Sequence, residues 1–322
     1  MSGPATVFVT RSLPAPGVQP LVAAGLRVVH RDVDSPPPRT ELLAGVAEAG
    51  ALLCLLSERI DAELLDAAPR LRIVANLAVG YDNIDVAAAI ERGVVVTTTP
   101  DVLTEATADL AWALLLATAR RVAEADALVR RGGWRGFSPT MLLGMPVTGR
   151  TLGIVGLGAI GGAVARRARG FDMTVLYCNR QRDRVAEREL GVIPATFHEL
   201  LATSDVVSLH APLNDGTRHL IDAAALARMK PTAILVNTAR GALVDEGALV
   251  MALRTGVIAG AGLDVFEREP ELAGGLAELG NTVLLPHLGS ATTETRAAMV
   301  ELACANIIEV LAGRPALTPK LP

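Results

Sequence analysis

The stretch "TLGIVGLGAIGGAVARRARG", residues 151–170, decides the fold. An apolar run, Leu152 to Val155, gives way to Gly156, Gly158 and Gly161, and an alanine-rich segment ending in arginines follows. This reads as a strand, a tight turn and a helix. In that setting the G-x-G-x-x-G spacing has a physical use. The first glycine permits the turn, the second lets an anion approach the backbone, and the third lets helix pack on strand, with the helix N-terminus facing the anion. The loop, including Ala159 and Ile160, is therefore a candidate cradle for a dinucleotide pyrophosphate; a purely structural glycine turn is the alternative.

Outward from this loop the chain alternates strands and helices. "MTVLYC", "DVVSLH", "AILVNT", "IAGAGLDV" and "TVLLPH" follow it, and "TVFVT", "RVVH", "ALLCLL", "RIVAN" and "VVVTT" precede it. Such alternation implies parallel sheets covered on both faces. The segment "LTEATADLAWALLLATARRVAEADALVRRGGW" reads as one long connecting helix, and "TTETRAAMVELACANIIEVLAG" as a last helix that returns to the first module. The expected class is α/β, with two Rossmann-like doubly wound domains. Residues 1–103 and 288–322 form a discontinuous, flavodoxin-like substrate domain, and 104–287 an NAD(P)-binding domain.

The strand after the glycine loop ends in "TVLYCNRQR", 174–182. A carboxylate usually stands there to accept hydrogen bonds from the ribose 2′-hydroxyl of NAD. Here the position is Asn179, followed by Arg180 and Arg182, which removes a repulsion and offers guanidinium groups to a 2′-phosphate. The expectation is NADP(H) preferred, with NAD(H) possible. Solvated surface charge is the alternative for the two arginines.

Ligands of open α/β sheets lie outside the carboxyl ends of the strands. Those ends deliver Thr238, Ala239 and Arg240 in "LVNTARG", Asp264 and then Glu269 in "GLDVFEREP", and His287 in "LLPHLGS". The set suits carbonyl reduction. Negative charge builds on the carbonyl oxygen, so a positioned acid (His287), a carboxylate that favours its imidazolium (Glu269) and a cation for a neighbouring carboxylate (Arg240) are required. Locally bonded strand-end groups are the alternative. His210, in "LHAPL" with Ala211 and Pro212, lines the cofactor cleft in this reading, and Thr217 follows it.

Composition narrows the classes. With 51% hydrophobic residues over 322, a folded soluble protein is expected, and 30 basic against 34 acidic residues give no broad field for nucleic acid or an anionic membrane. Lys230 and Lys320 are the only lysines, and neither follows a glycine-rich loop, which argues against a P-loop. Cys54, Cys178 and Cys304 are odd in number and widely spaced, so neither zinc nor a disulfide framework is expected. "MSGPATVFVTRS" lacks a secretory pattern and "LAWALLLATA" is too short to span a bilayer, which gives a cytoplasmic expectation.

The motifs "GLGAIG", "LHAPL", "VNTARGALVDE", "GLDVFEREP" and "PHLGSAT", in that order, with "NLAVGYDNID" upstream, resemble the D-isomer-specific 2-hydroxyacid dehydrogenase family. "ALLCLLSERID", "TPDVLTEATADLA" and "RRGGW" are similar to its glyoxylate/hydroxypyruvate reductases. The resemblance implies Arg240 as substrate-binding arginine, Glu269 and His287 as acid–base pair, and the amides of Val79 and Gly80 on the substrate carboxylate in the cleft between the domains. It also implies Thr107 near the cofactor phosphates, Asp264 at the nicotinamide carboxamide or orienting Arg240, and Gly289 and Ser290 closing the site. A homodimer is implied, with Trp134 and Phe137 reaching toward the partner or simply packing; Phe137 departs from a tryptophan in the similar pattern. Another family member, such as a phosphoglycerate dehydrogenase, or a non-catalytic NAD(P)H-sensing protein similar to the family's corepressors, stays open at this point.

Overall fold

The computed structural model describes residues 4–320; the chain ends read above, 1–3 and 321–322, lie outside the described residues. The chain divides into two compact units, Met1–Leu103 with Ser290–Pro322, and Thr104–Gly289.

The first unit is a five-stranded sheet of order β2-β1-β3-β4-β5. Its strands are β1 Thr6–Val9, β2 Arg27–His30, β3 Ala51–Cys54, β4 Ile73–Asn76 and β5 Val95–Thr97, and every pairing is parallel. Both β3 and β4 are buried along their whole length, as strands covered on both faces must be. One face packs on the helix Thr293–Leu311, whose Val300, Ala303, Cys304, Ile307 and Val310 share a core with Val7, Val9, Leu53 and Ala75.

The second unit holds seven parallel strands in the order β12-β11-β10-β9-β6-β7-β8. These are β6 Thr151–Val155, β7 Thr174–Cys178, β8 Ile193–Pro194, β9 Val206–Leu209, β10 Ile234–Asn237, β11 Gly260–Leu263 and β12 Thr282–Leu284. Strand order reverses between β6 and β9, so the loops after these two strands diverge and leave a crevice at the carboxyl edge. Trp112 fixes a covering helix, Thr104–Ala119: its ring stacks on Phe171 at 4.6 Å and its Nε1 donates to Val164 O at 3.1 Å.

The connecting helix is not continuous. It stops at Ala119, Arg121 takes a left-handed φ of 55°, and a second helix runs Val122–Arg130. The carbonyl of Ala119, which a continuing helix would bond internally, instead accepts from Met145 N at 2.8 Å. A contact from a loop more than twenty residues downstream thus ends a helix whose sequence pattern would carry on.

Candidate active site

The glycine loop has the geometry of an anion cradle. Gly156 has a φ of 94°, and a Cβ there would lie 2.5 Å from Ala211 N, so the loops after β6 and β9 touch only because this residue has no side chain. A Cβ at Gly161 would meet Gly156 O at 2.4 Å. In front of Gly158 the space is open, and the helix Ala159–Ala168 that it caps has no side-chain capping bond, so its N-terminal amides face outward. These features fit a dinucleotide pyrophosphate, with Ala159 and Ile160 in the first turn.

Past the loop, the side chain of Asn179 has an internal task. Its Oδ1 accepts from Leu157 N at 2.6 Å and its Nδ2 donates to Leu157 O at 3.2 Å, which ties the end of β7 to the glycine turn. Arg182 is also engaged: Nε and Nη2 reach the Glu187 carboxylate at 2.6 and 2.8 Å. Glu187 also accepts from the Tyr177 hydroxyl at 2.8 Å. The Arg182 bond, with that of Tyr177, overcomes what burial there is and lowers its pKa to about 2. Arg180 is exposed, and its chain neighbours Asn179 and Gln181, with Arg182, Asp183, Arg184 and Val185, line an open recess of about 470 Å³. The Glu187 counter-charge carries no motif signal; only its placement one helical turn past Arg182 and Asp183 could have suggested it.

Three strand ends build the reacting end. After β10 the buried Asn237 shapes the turn, accepting from Ala239 N at 3.0 Å and donating to Arg240 O at 2.8 Å, while Arg240 Nη1 donates to Ala239 O at 2.7 Å. After β11 the loop Phe266–Pro270 carries Glu269, whose Oε1 accepts from Phe266 N at 3.0 Å. After β12 the chain is pinned to the end of β11: His287 N donates to Asp264 O at 2.8 Å and Leu288 N to Asp264 Oδ1 at 2.6 Å. That turn sets His287 at a left-handed φ of 55° and brings its Nδ1 to 2.9 Å from Glu269 Oε2. A non-glycine residue held in this conformation stores strain, a feature concentrated at functional sites.

Electrostatics suit the pair. Burial disfavours the charged Glu269 carboxylate, but the hydrogen bond and charge of His287, the Phe266 amide and the charge of Arg240 outweigh it, and its pKa lies below the usual range. Asp264 is fully buried, and burial pushes its carboxyl up against the opposing pull of the Leu288 amide and His287. Its Oδ2 has no hydrogen-bond partner among the described residues, and neither has the buried Thr238 Oγ1. Orphaned acceptors of this kind fit an incoming amide or hydroxyl. A Cβ at Gly289 would stand 3.5 Å from that Oδ2 and 3.4 Å from Thr107 Cγ2, which places Thr107, Asp264 and Gly289 together.

The remaining candidates are placed as follows. His210 Nε2 lies 2.8 Å from Ser208 Oγ, and burial lowers its pKa to about 4, so the ring is neutral near pH 7 and unsuited to protonate a substrate. Ala211 and Pro212 follow it, and the Thr217 hydroxyl closes their turn on Pro212 O at 2.7 Å. Val79, Gly80 and Ser290 belong to the first unit. There Asn76 Nδ2 donates to Gly80 O at 2.8 Å, and the amides of Val79 and Gly80 donate to nothing among the described residues. Trp134 and Phe137 are exposed, Phe137 at 89%. Among the described residues there is no group of three or more His, Cys, Asp or Glu that could hold a metal ion, and no helix long and apolar enough to cross a membrane.

A switch-point crevice with a dinucleotide cradle, next to a bonded histidine–carboxylate pair and an arginine, defines a nicotinamide-dependent oxidoreductase. Comparison with known proteins gives the lineage: residues 112–289 match the model of the D-isomer specific 2-hydroxyacid dehydrogenase, NAD binding domain. A glyoxylate reductase of Thermococcus litoralis is 51% identical over 311 residues, 95% of this chain and 94% of that protein. A Thermus thermophilus structure superposes with a TM-score of 0.92 at 47% identity, covering 98% of this chain and 100% of that one. An NADPH-dependent glyoxylate/hydroxypyruvate reductase from Sinorhizobium meliloti, solved with NADP and malonate, does so at 0.87 and 36%, covering 99% and 97%. The chain belongs to the D-isomer-specific 2-hydroxyacid dehydrogenase family.

Proposed function

We propose that the protein reduces small 2-oxo acids, glyoxylate and hydroxypyruvate first among them, to D-2-hydroxy acids, with NADPH preferred over NADH. The observation that carries this reading is the 2.9 Å bond between His287 Nδ1 and Glu269 Oε2 within reach of the charge of Arg240. The Gly156–Gly161 loop and the residues around Thr107, Thr238 and Asp264 would hold a reduced nicotinamide dinucleotide, which would supply the hydride. Glu269 holds the imidazole through Nδ1, so the ring turns its Nε2 proton toward the carbonyl oxygen as charge develops there. Arg240 binds the substrate's carboxylate and polarises the carbonyl. The unengaged amides of Val79 and Gly80 form an anion nest suited to a carboxylate.

Support for NADPH comes from the absence of a carboxylate at position 179, the exposed Arg180 and the recess that its chain neighbours Asn179 and Gln181 line. Since Arg182 is shared with Glu187, Arg180 carries most of the preference in this reading. In the same reading, residues 1–103 with 288–322 take the substrate and 104–287 the cofactor. The exposed Val122 and Val129 of the helix Val122–Arg130, with Trp134, Phe137 and Leu143, form the contact of a homodimer, which sedimentation would test. The decisive assay is steady-state oxidation of NADPH and of NADH with glyoxylate and hydroxypyruvate. Turnover faster with NADPH supports the whole reading; a preference for NADH removes the coenzyme part, and no turnover with either acid removes the substrate part.

A further inference from the structure

We infer that Glu246 and His219 are positioning residues that clamp the Phe266–Pro270 loop and thereby hold Glu269 against His287; the inference rests on the acid–base reading proposed above. Glu269 and His287 both keep about a third of their side-chain surface in solvent, 37% and 34%. A carboxylate on such a loop samples several rotamers unless its backbone is held from behind. Glu246 supplies that hold. It is the first residue of the helix Glu246–Thr255, 4% exposed, and has no ion-pair partner among the described residues.

A buried carboxylate without a cation is costly, and here one of its oxygens is bonded to the loop that carries Glu269. Glu246 Oε1 accepts from Glu267 N at 2.7 Å. The residue next along the chain from Phe266, which bonds Glu269 Oε1, is thus fixed from the protein interior. A second tether acts on the same residue: the Glu267 carboxylate lies 2.8 Å from His219 Nε2, and His219 N donates to Ala242 O at 2.8 Å. Neither Glu246 nor His219 has a part in hydride or proton transfer. Their bonds converge on the peptide that orients the residue which orients the acid.

The test is a mutant cycle on the intact protein. Glu246→Gln keeps the shape but turns one acceptor into a donor facing an amide; His219→Asn suits the left-handed φ of 52° at that position but cannot reach Glu267. For Glu246→Gln we expect kcat to fall about tenfold or more with the KM for reduced cofactor within about twofold, and a displaced pH profile of kcat. His219→Asn should act in the same direction more weakly, and carries the test should the first variant fail to fold. On a Glu269→Gln background both losses should vanish, since the clamp acts through Glu269. Losses that persist in full on that background, or an unchanged kcat and pH profile, overturn the inference. If Glu269→Gln itself turns over like the unmodified protein, the acid–base reading falls, and this inference with it.

Discussion

Replacing Gly241 with alanine would strike the site through a single methyl group. An added Cβ would lie 1.9 Å from the carbonyl carbon of Phe266, 2.1 Å from its oxygen and 2.3 Å from Glu267 N. All three are backbone atoms, so no flexible side chain can yield. Ordinary contact begins at 3.4 Å, and the loop bearing Glu269 would have to retreat from Arg240 by about 1.5 Å. Gly241 is not in a left-handed conformation, so the effect is purely steric. Overpacking of this kind costs about 1–3 kcal/mol, against about 0.4–1 kcal/mol that Gly→Ala contributes through the unfolded chain. A net loss of about 1–2 kcal/mol lowers Tm by about 2–8 °C. Activity should suffer more: a displacement near 1 Å in a catalytic constellation costs about a hundredfold. Thermal unfolding and kcat/KM on glyoxylate with NADPH would measure both. Gly170→Ala is the control, because a Cβ there meets nothing within 4 Å. A Gly241→Ala protein with unchanged Tm and kcat/KM within about twofold would refute the reasoning.

His287→Asn should fold, because asparagine accepts the left-handed φ of 55°, yet lose about 10²–10⁴ in kcat while binding cofactor as before; equal loss of both would count against the assigned role. Glu187→Gln should release Arg182 for a 2′-phosphate and lower the KM for NADPH, relative to NADH, by about threefold or more; coenzyme-ratio kinetics on the two proteins would show it. His210 contributes to acid sensitivity. With its pKa lowered from 6.5 to about 4, its stability contribution is full above pH 6.5 and is lost as pH falls toward 4, by at most about 3 kcal/mol for this partly shielded ring. Urea unfolding should therefore give a shallower loss between those pH values for His210→Gln than for the unmodified protein.

How much of this was legible in the chain differs element by element. The largely apolar runs at 51–54, 73–76, 206–209 and 234–237 announce strands buried on both faces, and their alternation with helical segments leaves a parallel α/β architecture as the economical solution. The glycine spacing at 156, 158 and 161 is equally legible, since the pattern lies within six residues, although what crowds Gly156 is the distant loop at Ala211. Residues that act at a distance were visible as candidates without partners. Glu269 and His287 stand eighteen positions apart, and their bond exists because β11 and β12 are neighbours and Asp264 anchors the turn between them.

Elsewhere tertiary placement changed the meaning of a residue. Arg182, free charge in a linear reading, spends its guanidinium on Glu187, and Asn179 spends its amide on Leu157. The helix through 120 looked continuous, yet Met145 takes the carbonyl that would have extended it. Glu246, an unremarked acid at a helix start, proved to be buried and bonded to the loop of Glu269. Sequence alone determined the strands, most of the helices and the glycine spacing of the cradle, because hydrophobic period and glycine spacing act within a few residues. Strand order and side-chain rotamers, set by packing across the whole unit, decided which candidate groups touch and which are already engaged.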